Sequence, residues 1–193
     1  MKKLRLLVTP MCNRSCKGCC NSIWNLKELP TVNTYELNDY EEIMLTGGEP
    51  MLDPVHLLEV IQHIKDWCQH NGSSPFIYLY TAKSKSAMEL LMVLQAIDGL
   101  TLSLHEQYDV PGFVKFQKLL RNYPELCEKG LRLNVIDHVN IEGIDTKHWD
   151  VRVLPWVAPQ DCPLPADEDF KRWPTSPNLN QYPMYRLNYT GKV

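Results

Sequence analysis

Apolar positions along the first 155 residues switch repeatedly between strand-like runs and helical spacing. Leu4 to Val8 is a short apolar run ended by Thr9-Pro10, the pattern of a buried strand. Thr34 to Tyr40 suits a short helix, and Glu42 to Thr46 a second strand closed by Gly47-Gly48-Glu49-Pro50. Asp53-Pro54 reads as a helix start, a capping carboxylate followed by proline at the first helical position. Leu57, Leu58, Ile61, Ile64 and Cys68 then recur at helical spacing, and Asn71-Gly72 ends the helix. Phe76 to Tyr80 is rich in aromatic and branched residues, as strands are. Ser86 with Glu89 is a capping-box pair opening a helix to about Ile97. Leu100 to Leu104 is a strand, Pro111 to Asn122 a helix, Leu131 to Ile136 a fifth strand and Val151 to Leu154 a sixth. Residues 137 to 150 carry no apolar stripe and are predicted to be irregular.

Strands alternating with helices pair in parallel through right-handed crossovers. Six strands are too few for a closed eight-stranded barrel. The expected fold is therefore α/β: an open, partial parallel β/α barrel of about six strands, spanning residues 1–155. Residues 156–193 differ in kind. Half of the 14 prolines fall between Pro155 and Pro183, and no glycine occurs from Ile144 to Thr190. Trp156, Phe170, Trp173, Tyr182, Tyr185 and Tyr189 give this stretch aromatic surface to bury. The composition predicts an irregular tail packed on the core, along the open edge of the sheet.

The 193 residues are 44% hydrophobic and 22% charged, ample for one buried core and unlike a disordered chain. A formal net charge of -3 argues against a protein that holds nucleic acid by its phosphates. No apolar run approaches the roughly 20 residues of a membrane span. The start, Met1-Lys2-Lys3 and then Leu4 to Val8, is basic then apolar like a signal peptide, but Thr9-Pro10 stops the run and no cleavage site follows. A cytoplasmic location is expected. Seven cysteines are an odd number, and four crowd between Cys12 and Cys20. That usage suits a reduced compartment with one dense thiolate site rather than a disulfide framework.

Cys12, Cys16 and Cys19 are spaced C-x3-C-x2-C on a loop directly after the first strand. A zinc knuckle would need a fourth ligand, and Cys20 is available but adjacent to Cys19. Three thiolates also suffice for three irons of a 4Fe–4S cluster, leaving the fourth iron open. Spacing alone leaves both readings standing. The second motif, Gly47-Gly48-Glu49-Pro50, ends the second strand, and ligands of parallel α/β sheets gather at carboxyl ends of strands. Paired glycines lack Cβ atoms, which is expected to let backbone groups approach a small ligand.

Together these motifs resemble the radical S-adenosylmethionine (SAM) superfamily, over about Leu4 to Pro155. The resemblance implies that Cys12, Cys16 and Cys19 carry a 4Fe–4S cluster whose open iron chelates SAM. It implies that Gly47, Gly48 and Glu49 contact the methionine end. Thr81, Ser103 and Asn134 are similar to residues ending the third, fourth and fifth strands in the molybdenum-cofactor cyclase branch, and would also bind SAM. Departures are visible: Gly18 stands where many members place an aromatic before the third cysteine. That loop, with Asn21 and Trp24, resembles the activating enzymes of anaerobic ribonucleotide reductase, which usually carry G-G-D-P instead. The implied activity is reductive cleavage of SAM to a 5′-deoxyadenosyl radical that abstracts hydrogen from a small molecule or peptide. An electron donor such as flavodoxin or ferredoxin is the implied partner, and a glycyl-radical enzyme would be a further partner under the activase reading. The substrate is expected near His105, Glu106, Asp137, His138 and Trp156. The rival classes are an iron–sulfur electron carrier and a zinc-stabilised binding module.

Overall fold

A computed structural model describes residues 2–157 and 163–174. The fold is α/β: among the described residues, an open sheet of seven parallel strands in the order β6-β5-β4-β3-β2-β1-β7 with flanking helices, which is the class expected. The strands are β1 (Lys3–Thr9), β2 (Glu42–Gly47), β3 (Phe76–Thr81), β4 (Gly99–Leu104), β5 (Gly130–Ile136), β6 (Asp150–Leu154) and β7 (Glu168–Arg172). The helices are α1 (Pro54–His70), α2 (Ala87–Ala96), α3 (Val110–Leu120) and a short α4 (Pro124–Cys127). The described residues divide into two compact units, residues 2–77 with 157 and 163–174, and Tyr78–Trp156. Among the described residues no helix is long and apolar enough to cross a membrane.

In the first unit β1 pairs in parallel with β2 on one side and β7 on the other. Being central, β1 buries Leu4, Leu6, Leu7 and Val8. Asp53 caps α1 by accepting from the His56 backbone at 3.0 Å, as its position before Pro54 predicts. The buried face of α1 is Leu57, Val60, Ile61, Ile64 and Cys68; Leu58, expected in the stripe, lies at its margin.

β7 has no counterpart in the sequence-based expectation, because Glu168-Asp169-Phe170-Lys171-Arg172 shows only one apolar residue. Charge and backbone pairing hold it instead. Arg5 meets Glu168 at 2.6 Å, Lys2 meets Asp169 at 3.3 Å and Lys171 meets Glu36 at 2.8 Å. Phe170 is the one buried side chain, packed with Leu7, Leu26 and Leu29 and edge-on to Trp24. Beyond it, Thr31 bridges Arg172, so the outer edge of β7 is itself partly covered. The expected packing of Tyr182, Tyr185 and Tyr189, and Cys162, lie outside the described residues.

The buried Tyr40 hydroxyl donates to Asp169 at 2.7 Å. Burial, then Asp169, pushes the phenol above its ordinary value. The same bond, and next Lys2, holds the Asp169 carboxyl below the ordinary range. A depressed carboxyl stabilises fully above its unfolded pKa of about 4, and that share is lost as pH falls through the folded value. Tyr40→Phe should cost about 1 kcal/mol in urea unfolding at pH 7, modest because Asp169 is partly exposed. The difference should narrow by about pH 3. An equal loss at both pH values would contradict this.

In the second unit, β3 pairs with β4, β4 with β5 and β5 with β6, all in parallel. Leu90, Leu94, Leu102, Phe113 and Phe116 are fully or almost fully buried in its core. Trp149 lies edge-on to Phe113 and donates its indole N–H to Gln117 at 2.7 Å, anchoring the irregular stretch predicted between the fifth and sixth strands. The predicted capping box at Ser86 does not form. Ser86 makes no side-chain cap bond, and Glu89 instead meets Lys83 at 3.5 Å.

Candidate active site

The cysteine loop leaves β1, and the Gly47-Gly48-Glu49-Pro50 turn leaves its parallel neighbour β2. Their register slips between Leu7 and Thr9, so β1 carries a bulge just where the loop begins. Three hydrogen bonds then tie loop to turn. Gly48 N–H donates to the Thr9 carbonyl at 2.8 Å and Glu49 N–H to the Met11 carbonyl at 2.7 Å. From the far side of the loop, the Asn21 amide donates to the Gly47 carbonyl at 2.6 Å. Glu49 is 2% exposed, and its carboxylate accepts from the Met51 backbone at 3.0 Å.

These contacts change the expected reason for the glycines. A Cβ built at Gly48 would stand inside contact distance of the Met11 carbonyl and 2.8 Å from the Pro10 oxygen, and one at Gly47 would overlap the Thr9 carbonyl. The space left by the missing side chains is occupied by the backbone of Thr9 to Met11. Both glycines are therefore needed to seat the cysteine loop, before any ligand arrives. The Gly48 and Glu49 N–H groups are engaged within the chain, and the Gly47 carbonyl accepts from Asn21.

Cys12, Cys16 and Cys19 form no disulfide and are each partly exposed. Cys19 N–H donates to the Cys16 carbonyl at 3.2 Å, and Ser22 closes on the Cys19 carbonyl through both backbone and hydroxyl. Burial pushes the Cys12 thiol up, against a backbone hydrogen bond at Arg14, and Glu49 and Cys19 add to the rise. Metal loading there would displace a proton. Among the described residues no three His, Cys, Asp or Glu side chains are gathered to hold a single metal ion. A cluster places each thiolate on a different iron, so three cysteines free of disulfides on one short loop, each partly exposed, fit it as a donor set. Cys68 belongs to the buried face of α1, and Cys127 contacts the Leu120 carbonyl at 3.8 Å; burial pushes both thiols up.

In the second unit, Ser103 and Asn134 are register partners on one face, and the Asn134 amide lies 3.5 Å from the Ser103 hydroxyl. Thr81 pairs with Leu102 and so lies on the opposite face, buried, with its hydroxyl accepting from the Lys83 backbone at 3.0 Å.

The structure also brings together all five residues expected near the substrate. Trp156, just beyond β6, has ring centroids of His105 and His138 at 5.3 and 5.8 Å. His138 lies 3.5 Å from Glu106 and 3.7 Å from Asp137, one carboxylate toward each ring nitrogen. Residues that sequence reasoning missed hold these turns. Asp109, fully buried, accepts from the backbones of His105 and Glu106, both at 3.1 Å. Gln107 and Asn140 form a reciprocal clamp, side chain to backbone, at 3.1 and 2.9 Å. Asp109 could have been found as a carboxylate two residues before Pro111; the clamp spans 33 residues and has no local signal. Comparison with protein families finds no matching family model, and comparison with curated proteins finds no match.

Proposed function

We propose that the chain is a radical SAM enzyme, an oxidoreductase-type iron–sulfur protein acting on a small molecule or peptide. The observation carrying this reading is the bonding of the C-x3-C-x2-C loop to the GGEP turn at adjacent strand ends. Cys12, Cys16 and Cys19 would hold a 4Fe–4S cluster, and the Gly47–Glu49 turn would fix their loop and offer carbonyl oxygen to the methionine amino group. Ser103 and Asn134, polar partners near the ends of β4 and β5, are proposed to contact SAM as well. When bound, the cluster supplies the electron, drawn from a flavodoxin- or ferredoxin-type donor, that cleaves SAM to methionine and a hydrogen-abstracting 5′-deoxyadenosyl radical. The protein's task is to position substrate and exclude water. Anaerobic protein given a strong reductant and SAM should form 5′-deoxyadenosine slowly without substrate, and Cys16→Ala should abolish it. Undiminished product in Cys16→Ala would overturn the proposal.

A further inference from the structure

We infer that the Trp156 cluster is a recognition site for an ammonium group on the substrate. This deepens the function proposed above and rests on it for the word substrate. Five side chains from three successive strand ends converge here: His105 and Glu106 after β4, Asp137 and His138 after β5, and Trp156 after β6. The turns are prearranged by buried Asp109 and by the Gln107–Asn140 clamp, and Asp137 N–H is tied to the Leu154 carbonyl at 2.9 Å. Such prearrangement lowers the ordering cost of binding.

Charge selects the ligand. Glu106 and Asp137 are paired with no lysine or arginine among the described residues; both lie beside His138, and Glu106 also caps the short turn that follows it. At 3.5 and 3.7 Å those contacts are longer than hydrogen bonds, so both carboxylates keep acceptor capacity. Two carboxylates repel an anion. A partly exposed indole between two imidazoles offers π-surface, and π-surface beside carboxylates suits an alkylammonium. The ammonium source is either a free small amine or a lysine side chain of a peptide.

Titration of the full chain, followed by the ring proton signals of His105, His138 and Trp156, tests this without reductant or SAM. n-Butylammonium should move all three saturably, and butyrate should not. A blocked lysine tripeptide that binds more tightly than n-butylammonium identifies a peptide substrate; one that binds less tightly identifies a small amine. The Glu106→Gln/Asp137→Asn variant, isosteric and with both sites about half exposed, should weaken n-butylammonium about tenfold with unchanged circular dichroism. Equal or larger shifts with butyrate, or ring signals unmoved by either amine, would overturn the inference. Neither result touches SAM cleavage, so its failure and that of the proposed function are separable.

Discussion

Gly48→Val will unseat the cysteine loop and with it the proposed iron site, although no cysteine is changed. A Cβ at this position meets the Met11 and Pro10 carbonyls, which are backbone and cannot rotate away. The Gly48–Thr9 and Glu49–Met11 hydrogen bonds would break as the strands separate. Overpacking of this kind costs about 3 kcal/mol, and the two lost bonds add to it. Gly48→Ala should behave nearly as badly, since the first carbon already clashes. Urea unfolding with iron content after reconstitution is the measurement. Wild-type stability and iron loading in Gly48→Ala would show that the turn and the loop are not packed as described.

Asp109→Ala is expected to have the other large effect. One carboxylate oxygen of the fully buried Asp109 serves two backbone donors of a half-buried turn, and the Ser84 hydroxyl donates to the Asp109 carbonyl at 2.8 Å. Removing the carboxylate orphans both N–H groups, at a cost of about 3 kcal/mol. Asp109→Asn keeps an acceptor oxygen and should lose less. Amide exchange at His105 and Glu106 should quicken in Asp109→Ala, together with a lower urea midpoint. A midpoint shift worth less than about 0.5 kcal/mol would contradict the role given to this side chain.

What the sequence reveals here depends on how locally each feature is encoded. The helix start at Asp53-Pro54 and the buried stripe of α1 are local, and both match the structure except that Val60 rather than Leu58 is buried. The capping pair Ser86–Glu89 is equally local, yet Lys83 draws Glu89 away. β7 was hidden because its partners, Arg5, Lys2, Glu36 and Tyr40, lie more than a hundred residues earlier, and its own sequence lacks an apolar alternation. At the candidate site the motifs are legible but their packing is not. Gly47-Gly48 signals close approach; in the folded chain the approaching group is the Thr9–Met11 backbone. Ser103 and Asn134 are register neighbours, whereas Thr81, which the resemblance groups with them, lies on the other face of the sheet.

The most direct test of the central claim is the absorbance and iron content of anaerobically reconstituted protein, in the wild type and in single cysteine-to-alanine variants. The proposal predicts about four irons per chain and a broad band near about 400 nm. Both should be lost in Cys12→Ala, Cys16→Ala or Cys19→Ala, and kept when Cys20, Cys68, Cys127 or Cys162 is changed. Addition of SAM should alter the spectrum of the reduced wild-type cluster. A colourless protein that takes up zinc instead, or a cluster lost in Cys20→Ala but kept in Cys16→Ala, would contradict it.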